Sequence, residues 1–192
     1  MFPSPSPNPN PILPTMPFDS VDPKQSLPDL EHGILKYWKE EDTFKRSISQ
    51  RRKSDTFTDE CLFNFYDGPP FATGLPHYGH LLVGTIKDVI PRYQTMRGKY
   101  IERRFGWDCH GLPIENLIEK EHAITDHKQI EAMGIDKFNA LCRNAVQRCT
   151  EDWRRIVERT GRWVDMDWDY RTMDPDYMES MWWAFQDRKS VV

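Results

Sequence analysis

The sequence predicts an α/β protein in which helices pack against a parallel sheet. An aromatic run over residues 62–66 ends in a loop rich in glycine and proline, an amphipathic segment covers residues 80–96, and a second short run follows at 100–105. Seven of the ten glycines lie between Gly68 and Gly111. A strand, a glycine-rich loop, a helix and a further strand, in this order, are typical of the first units of a doubly wound α/β domain.

The composition excludes several classes of protein. Among 192 residues, 26 Lys and Arg face 30 Asp and Glu, a net charge of −4, which argues against a globally basic protein that coats nucleic acid. The four cysteines form no CxxC pair and predict neither a disulfide scaffold nor a zinc ribbon. No apolar run approaches the ~20 residues of a membrane span. We therefore expect a cytoplasmic protein that binds no membrane.

The N-terminal part divides into an arm, a helix and a loop. Nine of the 15 prolines lie in residues 1–28, which we expect to form a disordered arm. Apolar residues at spacings of three and four then predict a helix that begins near Asp29, with Asp29 as its cap. Residues 49–60 are polar and predict a loop, so the helix and this loop together make up residues 29–60.

Two strand–loop–helix units follow. Residues 62–66 are predicted to form a strand, and residues 80–96 a helix that Pro91 kinks and Gly98 ends. Residues 100–105 are predicted to form a second strand, followed by a loop over 106–111.

The C-terminal part is predicted to be helical. A helix is expected from about Pro113, and the longest amphipathic pattern covers residues 135–160. Residues 165–176 are polar and aromatic without a predicted element, and another helix begins near Tyr177.

The chemistry is expected where the two loops meet. Ligands of such sheets bind beyond the carboxyl ends of the strands. His77 and His80 stand where the first loop becomes a helix, and a helix N-terminus favours a phosphate. From these residues alone, one histidine as a cap and the other as a buried polar residue is an open alternative. No carboxylate lies at a spacing that would complete a metal site, and GxGxxG and GxxxxGK[ST] are absent.

Three blocks carry a resemblance to a known family. The run DGPPFATGLPHYGH at residues 67–80 resembles the HIGH region of class I aminoacyl-tRNA synthetases, and GWDCHGLPIE at 106–115 resembles the following block of the isoleucine, valine and leucine subgroup. GRWVD at 161–165 and YMESMWW at 177–183 are similar to the isoleucine enzymes, and Tyr78, in place of Ile in the HIGH signature, resembles their cytoplasmic eukaryotic-type branch. The resemblance implies that residues 61–186 are the N-terminal half of a Rossmann-like catalytic domain.

The resemblance also implies roles for individual residues. His77 and His80 would contact the ATP phosphates and stabilise the transition state, and Gly79 would let adenine approach the backbone. Pro69 would form part of the wall for the isoleucine side chain, and Asp108 would hold the α-ammonium group. Gly68 and Thr73 are also expected in the ATP site. The HIGH region proper covers residues 70–80, and its remaining members are Pro70, Phe71, Ala72, Gly74, Leu75, Pro76 and Tyr78, with Tyr78 facing away from the phosphates.

The implied activity is isoleucine–tRNA ligation. ATP, accompanied by Mg²⁺, would activate L-isoleucine to isoleucyl-adenylate, and the acyl group would pass to the 3′ end of tRNA(Ile). Editing of mischarged valine and any structural Zn²⁺ would belong to other parts of a full-length enzyme, expected to be a monomer. The alternatives are a valyl or leucyl enzyme of the same subgroup and a non-catalytic nucleotide-binding or interaction module.

Two features concern the C-terminal side. The second class I signature, the KMSKS loop, is absent from this sequence, so we expect the chain to be inactive alone. Residues 187–192 (DRKSVV) match one reading frame of a common sequencing-library adapter and are interpreted as a non-native tail.

Overall fold

The computed structural model describes residues 22–52 and 61–190, which form eight helices and two paired strands. In chain order, the elements are α1 (Leu27–Glu40), α2 (Thr43–Ser49), α3 (Tyr78–Met96), β1 (Arg104–Trp107), α4 (Leu112–Glu121), α5 (His127–Met133), α6 (Ile135–Ala145), α7 (Thr150–Arg159), β2 (Asp165–Arg171) and α8 (Pro175–Ser190). The predicted α/β class is confirmed, because a small parallel sheet stands among these helices. Most of the predicted arm, residues 1–21, and most of the predicted polar loop, residues 53–60, lie outside the described residues.

The sheet is parallel, as predicted, but its strands differ from those expected. β1 pairs with β2, with Gly106 opposite Tyr170. β2 falls in the stretch for which no element was predicted, because its aspartates make it unusually polar for a strand. β1 begins at Arg104, so Gly106 and Trp107 belong to the strand and not to the loop that follows it.

Residues 62–66 do not form the regular strand that was predicted. They are joined to the β1 side by isolated parallel bridges, Leu62 with Tyr100 and, further along, Phe71 with Asp108. Pro69 and Pro70, which stand just before the second bridge, have no N–H to donate to a ladder. The bridges nevertheless place the glycine-rich loop beside the end of β1.

The N-terminal helix begins earlier than expected and is divided. Ser26 caps α1, and its hydroxyl accepts the Asp29 N–H at 3.4 Å, so Asp29 lies in the first turn and is not the cap. Residues 27 and 28, predicted to lie in the arm, belong to the helix. Asp42 adopts a left-handed conformation (φ 47°) that separates α1 from α2.

The long helix predicted over residues 135–160 is two helices, and α5 before it was not predicted. The chain leaves helical geometry between Ala145 and Thr150, where the Cys149 N–H donates to the Ala72 carbonyl at 3.3 Å. A contact with a distant segment therefore interrupts a pattern that is periodic in sequence. The prediction for α3 holds better: Pro91 lies inside it and Gly98, with φ +93°, follows its end.

One apolar core holds the sheet, the glycine-rich loop and the helices α4 to α7 together. Its members share exposures below one-tenth and include Ala72, Phe105, Trp107, Ile118 and Trp153. Ala72, near the middle of the glycine-rich loop, belongs to this core, while its neighbours in the sequence do not. The loop is therefore anchored to the core at this residue.

Candidate active site

A cavity of about 670 Å³ lies between the two predicted loops. It is found at the carboxyl ends of residues 62–66 and of β1. It is bounded by loop residues, by one face of α3 and by α7. The residues that line it are Gly68, Pro69, Pro70, Phe71, Thr73, Gly74, Leu75, His77, Gly79, His80, Val83, Gly84, Lys87, Phe105, Asp108, Trp153 and Arg162. Residues predicted from the two loops therefore meet in one cavity.

His77 and His80 cap the start of α3 reciprocally. His77 Nδ1 accepts the Gly79 N–H at 3.1 Å, and His80 Nδ1 accepts the His77 N–H at 3.2 Å. The two rings stack with centroids 3.8 Å apart and an angle of 25° between their planes. Both histidines are thus caps, in place of the one cap and one buried residue that the alternative interpretation supposed.

This capping fixes where each neutral imidazole carries its proton. A ring nitrogen that accepts a hydrogen bond holds no proton, so the proton of each ring is on Nε2. Burial, and then the neighbouring His77 and Lys87, lower the pKa of His80. Within the described residues neither Nε2 has a hydrogen-bond partner, so each remains able to donate to a ligand.

Gly79 is required by the histidine pair itself. A Cβ built at this position would lie 2.9 Å from His77 Cε1 and 3.1 Å from His77 Nδ1. A side chain here would displace the ring that caps the helix. This steric requirement differs from the predicted role of admitting adenine, which the geometry does not test.

Asp108 brings a carboxylate to the same cavity. Its backbone N–H donates to the Pro70 carbonyl at 2.9 Å, and its Oδ1 is 3.4 Å from the His110 N and 3.5 Å from the Thr172 hydroxyl. It does not cap α4, whose N-cap is Gly111. Of the described residues, none forms an ion pair with Asp108, so its charge is available to a cationic ligand.

Three residues of the predicted HIGH region lie outside the cavity. Ala72 is fully buried in the core, Pro76 does not reach the cavity lining, and the Tyr78 side chain is 90% exposed. That Tyr78 faces away from the phosphates stays a prediction. All the other predicted residues line the cavity.

An ionic cluster that was not predicted from the sequence lies at the cavity wall. The buried Asp67 carboxylate is ion-paired with Arg162 and with Lys87, whose Nζ is 2.5 Å from Oδ1 at an angle unsuited to a hydrogen bond. Lys87 also donates to the Gly68 carbonyl at 2.7 Å. Two cations around one carboxylate leave positive charge at the wall, which suits an anionic ligand. The spacing of seven residues from His80, two helical turns, was a signal for Lys87.

Tyr170 ties this cluster to β2 across the sheet. Its hydroxyl donates to the Asp67 carbonyl, and burial raises its pKa, so it stays protonated. The ring passes over Gly106, where an added Cβ would overlap it. A glycine in β1 is therefore what lets β2 reach the glycine-rich loop.

The described residues contain neither a metal-binding cluster nor a membrane-spanning helix. In the described part of the chain no three His, Cys, Asp or Glu side chains are grouped to hold a metal ion. None of the helices described is long and apolar enough to cross a membrane.

In comparison with known proteins, residues 33–189 match the family profile "tRNA synthetases class I (I, L, M and V)". The chain is 53% identical over 169 residues to an isoleucine–tRNA ligase of Treponema denticola, 57% over 161 residues to that of Nocardia farcinica and 55% over 163 residues to that of Protochlamydia amoebophila. These matches cover 88%, 84% and 85% of this chain and 15% of each relative. The chain thus spans about 15% of the length of these relatives.

A solved structure is similar in fold. The LeuRS of Agrobacterium radiobacter K84, in a ternary complex with tRNA and LeuAMS, matches 83% of this chain and 17% of its own, with a TM-score of 0.52 and 22% identity. At this identity the likeness concerns the fold alone.

Proposed function

Because the chain belongs to the class I tRNA synthetases of the I, L, M and V family, we propose that it is the N-terminal part of the catalytic domain of an isoleucine–tRNA ligase. The reaction is activation of L-isoleucine by ATP, followed by transfer of the isoleucyl group to the 3′ end of tRNA(Ile). The observation that carries the proposal is the joining, in one cavity, of two imidazole donors with an unpaired carboxylate. The names of the relatives favour isoleucine over valine and leucine.

In the first step, an oxygen of the isoleucine carboxylate attacks the α-phosphorus of ATP. The bond from this phosphorus to the bridging oxygen breaks, and pyrophosphate leaves with its electrons. The substrate supplies its own nucleophile, so the protein contributes position and electrostatic stabilisation. His77 and His80 donate from Nε2 to the phosphate oxygens, where negative charge develops.

Asp108 and Pro69 orient the amino acid. The Asp108 carboxylate accepts hydrogen bonds from the α-ammonium group, and Pro69 forms part of the wall for the side chain. Gly68, Thr73 and Gly79 line the same cavity on the side of ATP. Lys87 and Arg162 add positive charge near the phosphates.

Mg²⁺ fits this site as a companion of ATP. Asp108 is the one carboxylate among the described residues that line the cavity, which is too few for a metal site made by the protein. The ion would be held by phosphate oxygens and would neutralise part of their charge. We further propose that the full-length enzyme is cytoplasmic and monomeric, and that it edits mischarged valine.

The test is isoleucine-dependent exchange of pyrophosphate into ATP by the full-length protein. We expect exchange with isoleucine, weaker exchange with valine and little with leucine. A preference for valine or leucine would establish the alternative member of the subgroup. Absence of exchange with all three amino acids would establish a non-catalytic module.

A further inference from the structure

Trp153 contacts both the glycine-rich loop and the His80 ring of the candidate site. It lies on α7 and is 4% exposed. Its indole Nε1–H donates to the Gly74 carbonyl at 2.7 Å, and its ring lies 4.9 Å, centroid to centroid, from that of His80 at an angle of 61°. One side chain therefore holds both the glycine-rich loop and a histidine of α3.

The backbone of α7 supports this arrangement. The Cys149 N–H donates to the Ala72 carbonyl at 3.3 Å, one helical turn before Trp153. Cys149 is the N-cap of α7 and Trp153 lies in its first turn, so the start of α7 holds the loop at two carbonyls that are two residues apart, those of Ala72 and Gly74. The loop cannot shift relative to Trp153 without breaking one of these bonds.

The His80 ring has its neighbours on two sides. His77 stacks on it at 3.8 Å, and Trp153 meets it at 4.9 Å. With Nδ1 engaged by the His77 N–H, the ring has little freedom to rotate, and Nε2 keeps one direction. A fixed donor is what transition-state stabilisation requires, since it needs no reorganisation when charge develops.

We propose that Trp153 is a positioning residue, which holds His80 Nε2 in its donating direction and fixes the loop at Gly74. This inference rests on the proposed function, because it concerns the rate of adenylate formation. Nothing in the HIGH region or the blocks around it points to Trp153, which is 73 residues from His80 in sequence. It acts through His80 and does not itself contact the reacting atoms.

The chain offers a matched control in Trp107. This tryptophan is 2% exposed, lies in the same aromatic cluster 6.0 Å from Trp153, and donates its Nε1–H to Asp169 at 2.6 Å. Trp107→Phe and Trp153→Phe both remove an indole N–H and the same ring volume from one core. Only the second removes a hydrogen bond to the glycine-rich loop.

In the full-length protein, Trp153→Phe should lower the kcat of isoleucine-dependent pyrophosphate exchange about 10- to 100-fold, as for a displaced catalytic group, and leave the KM for isoleucine unchanged. Trp107→Phe should change kcat by less than about twofold. Trp153→Tyr, which like Trp153→Phe keeps an aromatic ring and lacks the indole N–H, should behave as Trp153→Phe does. Equal losses in the Trp107 and Trp153 variants would overturn the proposal. So would Trp153 variants that fail to fold while Trp107→Phe folds, because Trp153 would then serve the core.

A double-mutant cycle separates positioning from general support. If Trp153 acts through His80, Trp153→Phe added to His80→Ala should lower kcat by no more than about twofold further. A full, independent loss in the double variant would overturn the proposal. A wild-type protein without exchange activity would contradict the proposed function itself, and this outcome is visible before any variant is compared.

Discussion

The imidazoles of His77 and His80 stack at 3.8 Å while each accepts a backbone N–H at the start of α3, so the residues that cap this helix are also its free Nε2 donors. Each histidine can therefore cap the helix through Nδ1 and bind a ligand through Nε2.

Replacing His80 by alanine should slow adenylate formation strongly. Loss of a preorganised donor to a developing negative charge costs about 10²-fold or more in rate. The isoleucine contacts lie elsewhere in the cavity, so the KM for isoleucine should change little. Pyrophosphate exchange by the full-length variant measures both quantities, and an unchanged rate would assign His80 to capping alone.

Replacing Gly79 by alanine should have a comparable effect by a steric route. The new Cβ would lie 2.9 Å from His77 Cε1, and the ring would have to leave its position. We expect exchange to fall by about 10²-fold, as for a displaced catalytic group. Gly33→Ala on α1 is the control, because a Cβ there meets no atom within 4 Å. Equal activity of the two variants would contradict the steric argument.

Asp108→Asn should weaken isoleucine binding selectively. A hydrogen bond to a charged group contributes about 1.5–3 kcal/mol, which corresponds to a KM for isoleucine raised about 10- to 100-fold. The KM for ATP should stay within about twofold of the wild type. Asp167→Asn, at an exposed residue paired with Arg154 outside the cavity, is the control. An effect of Asp108→Asn on ATP alone would place the amino acid elsewhere.

The pH profile should report the environment of His80. Burial, His77 and Lys87 lower the pKa of His80 below its usual value of 6.5, so the neutral ring predominates at pH 6.5 and the protonated ring becomes the main form only at lower pH. The protonated ring carries a hydrogen on Nδ1 and cannot accept the His77 N–H, which undoes the cap. Activity should therefore persist at pH 6.5 and fall at lower pH.

Lys87→Met tests the cause of this shift. Removing a neighbouring positive charge raises the pKa of His80, so the acidic limb of kcat/KM should move to higher pH. Lys120→Met, on α4 and outside the cavity, should leave the limb in place. Coincident limbs in the wild type and in Lys87→Met would exclude an electrostatic effect of this lysine.

Residues 1–192 expressed alone should be poorly soluble or molten. α8 exposes Met181, Trp182, Trp183 and Phe185 by 56%, 69%, 70% and 64%, an apolar surface that normally belongs to an interface. We expect binding of a hydrophobic dye and no thermal shift with isoleucine and ATP. Trp182→Glu with Trp183→Glu should improve solubility. A cooperative melt that rises with both ligands would contradict this expectation.

The sequence by itself determined the α/β class, helix α3 with its proline and terminal glycine, and the meeting of His77, His80 and Asp108 in one cavity. These features follow from local signals, namely apolar periodicity, capping and turn residues, and from the rule that loops at the carboxyl ends of parallel strands lie together. The roles given to these three residues, and the branch of the family, stay predictions.

Only the tertiary structure decided which residues support that cavity. β2 is polar, and it forms a strand because β1 supplies its hydrogen bonds, while the pattern over 135–160 is interrupted by the bond from Cys149 to Ala72. The hydrogen bond between Trp153 and Gly74 joins residues separated by 79 positions in the sequence. The one between Tyr170 and Asp67 joins residues separated by 103 positions. Periodicity describes what each segment can form locally, whereas such contacts depend on which distant backbone groups the fold leaves in need of a partner.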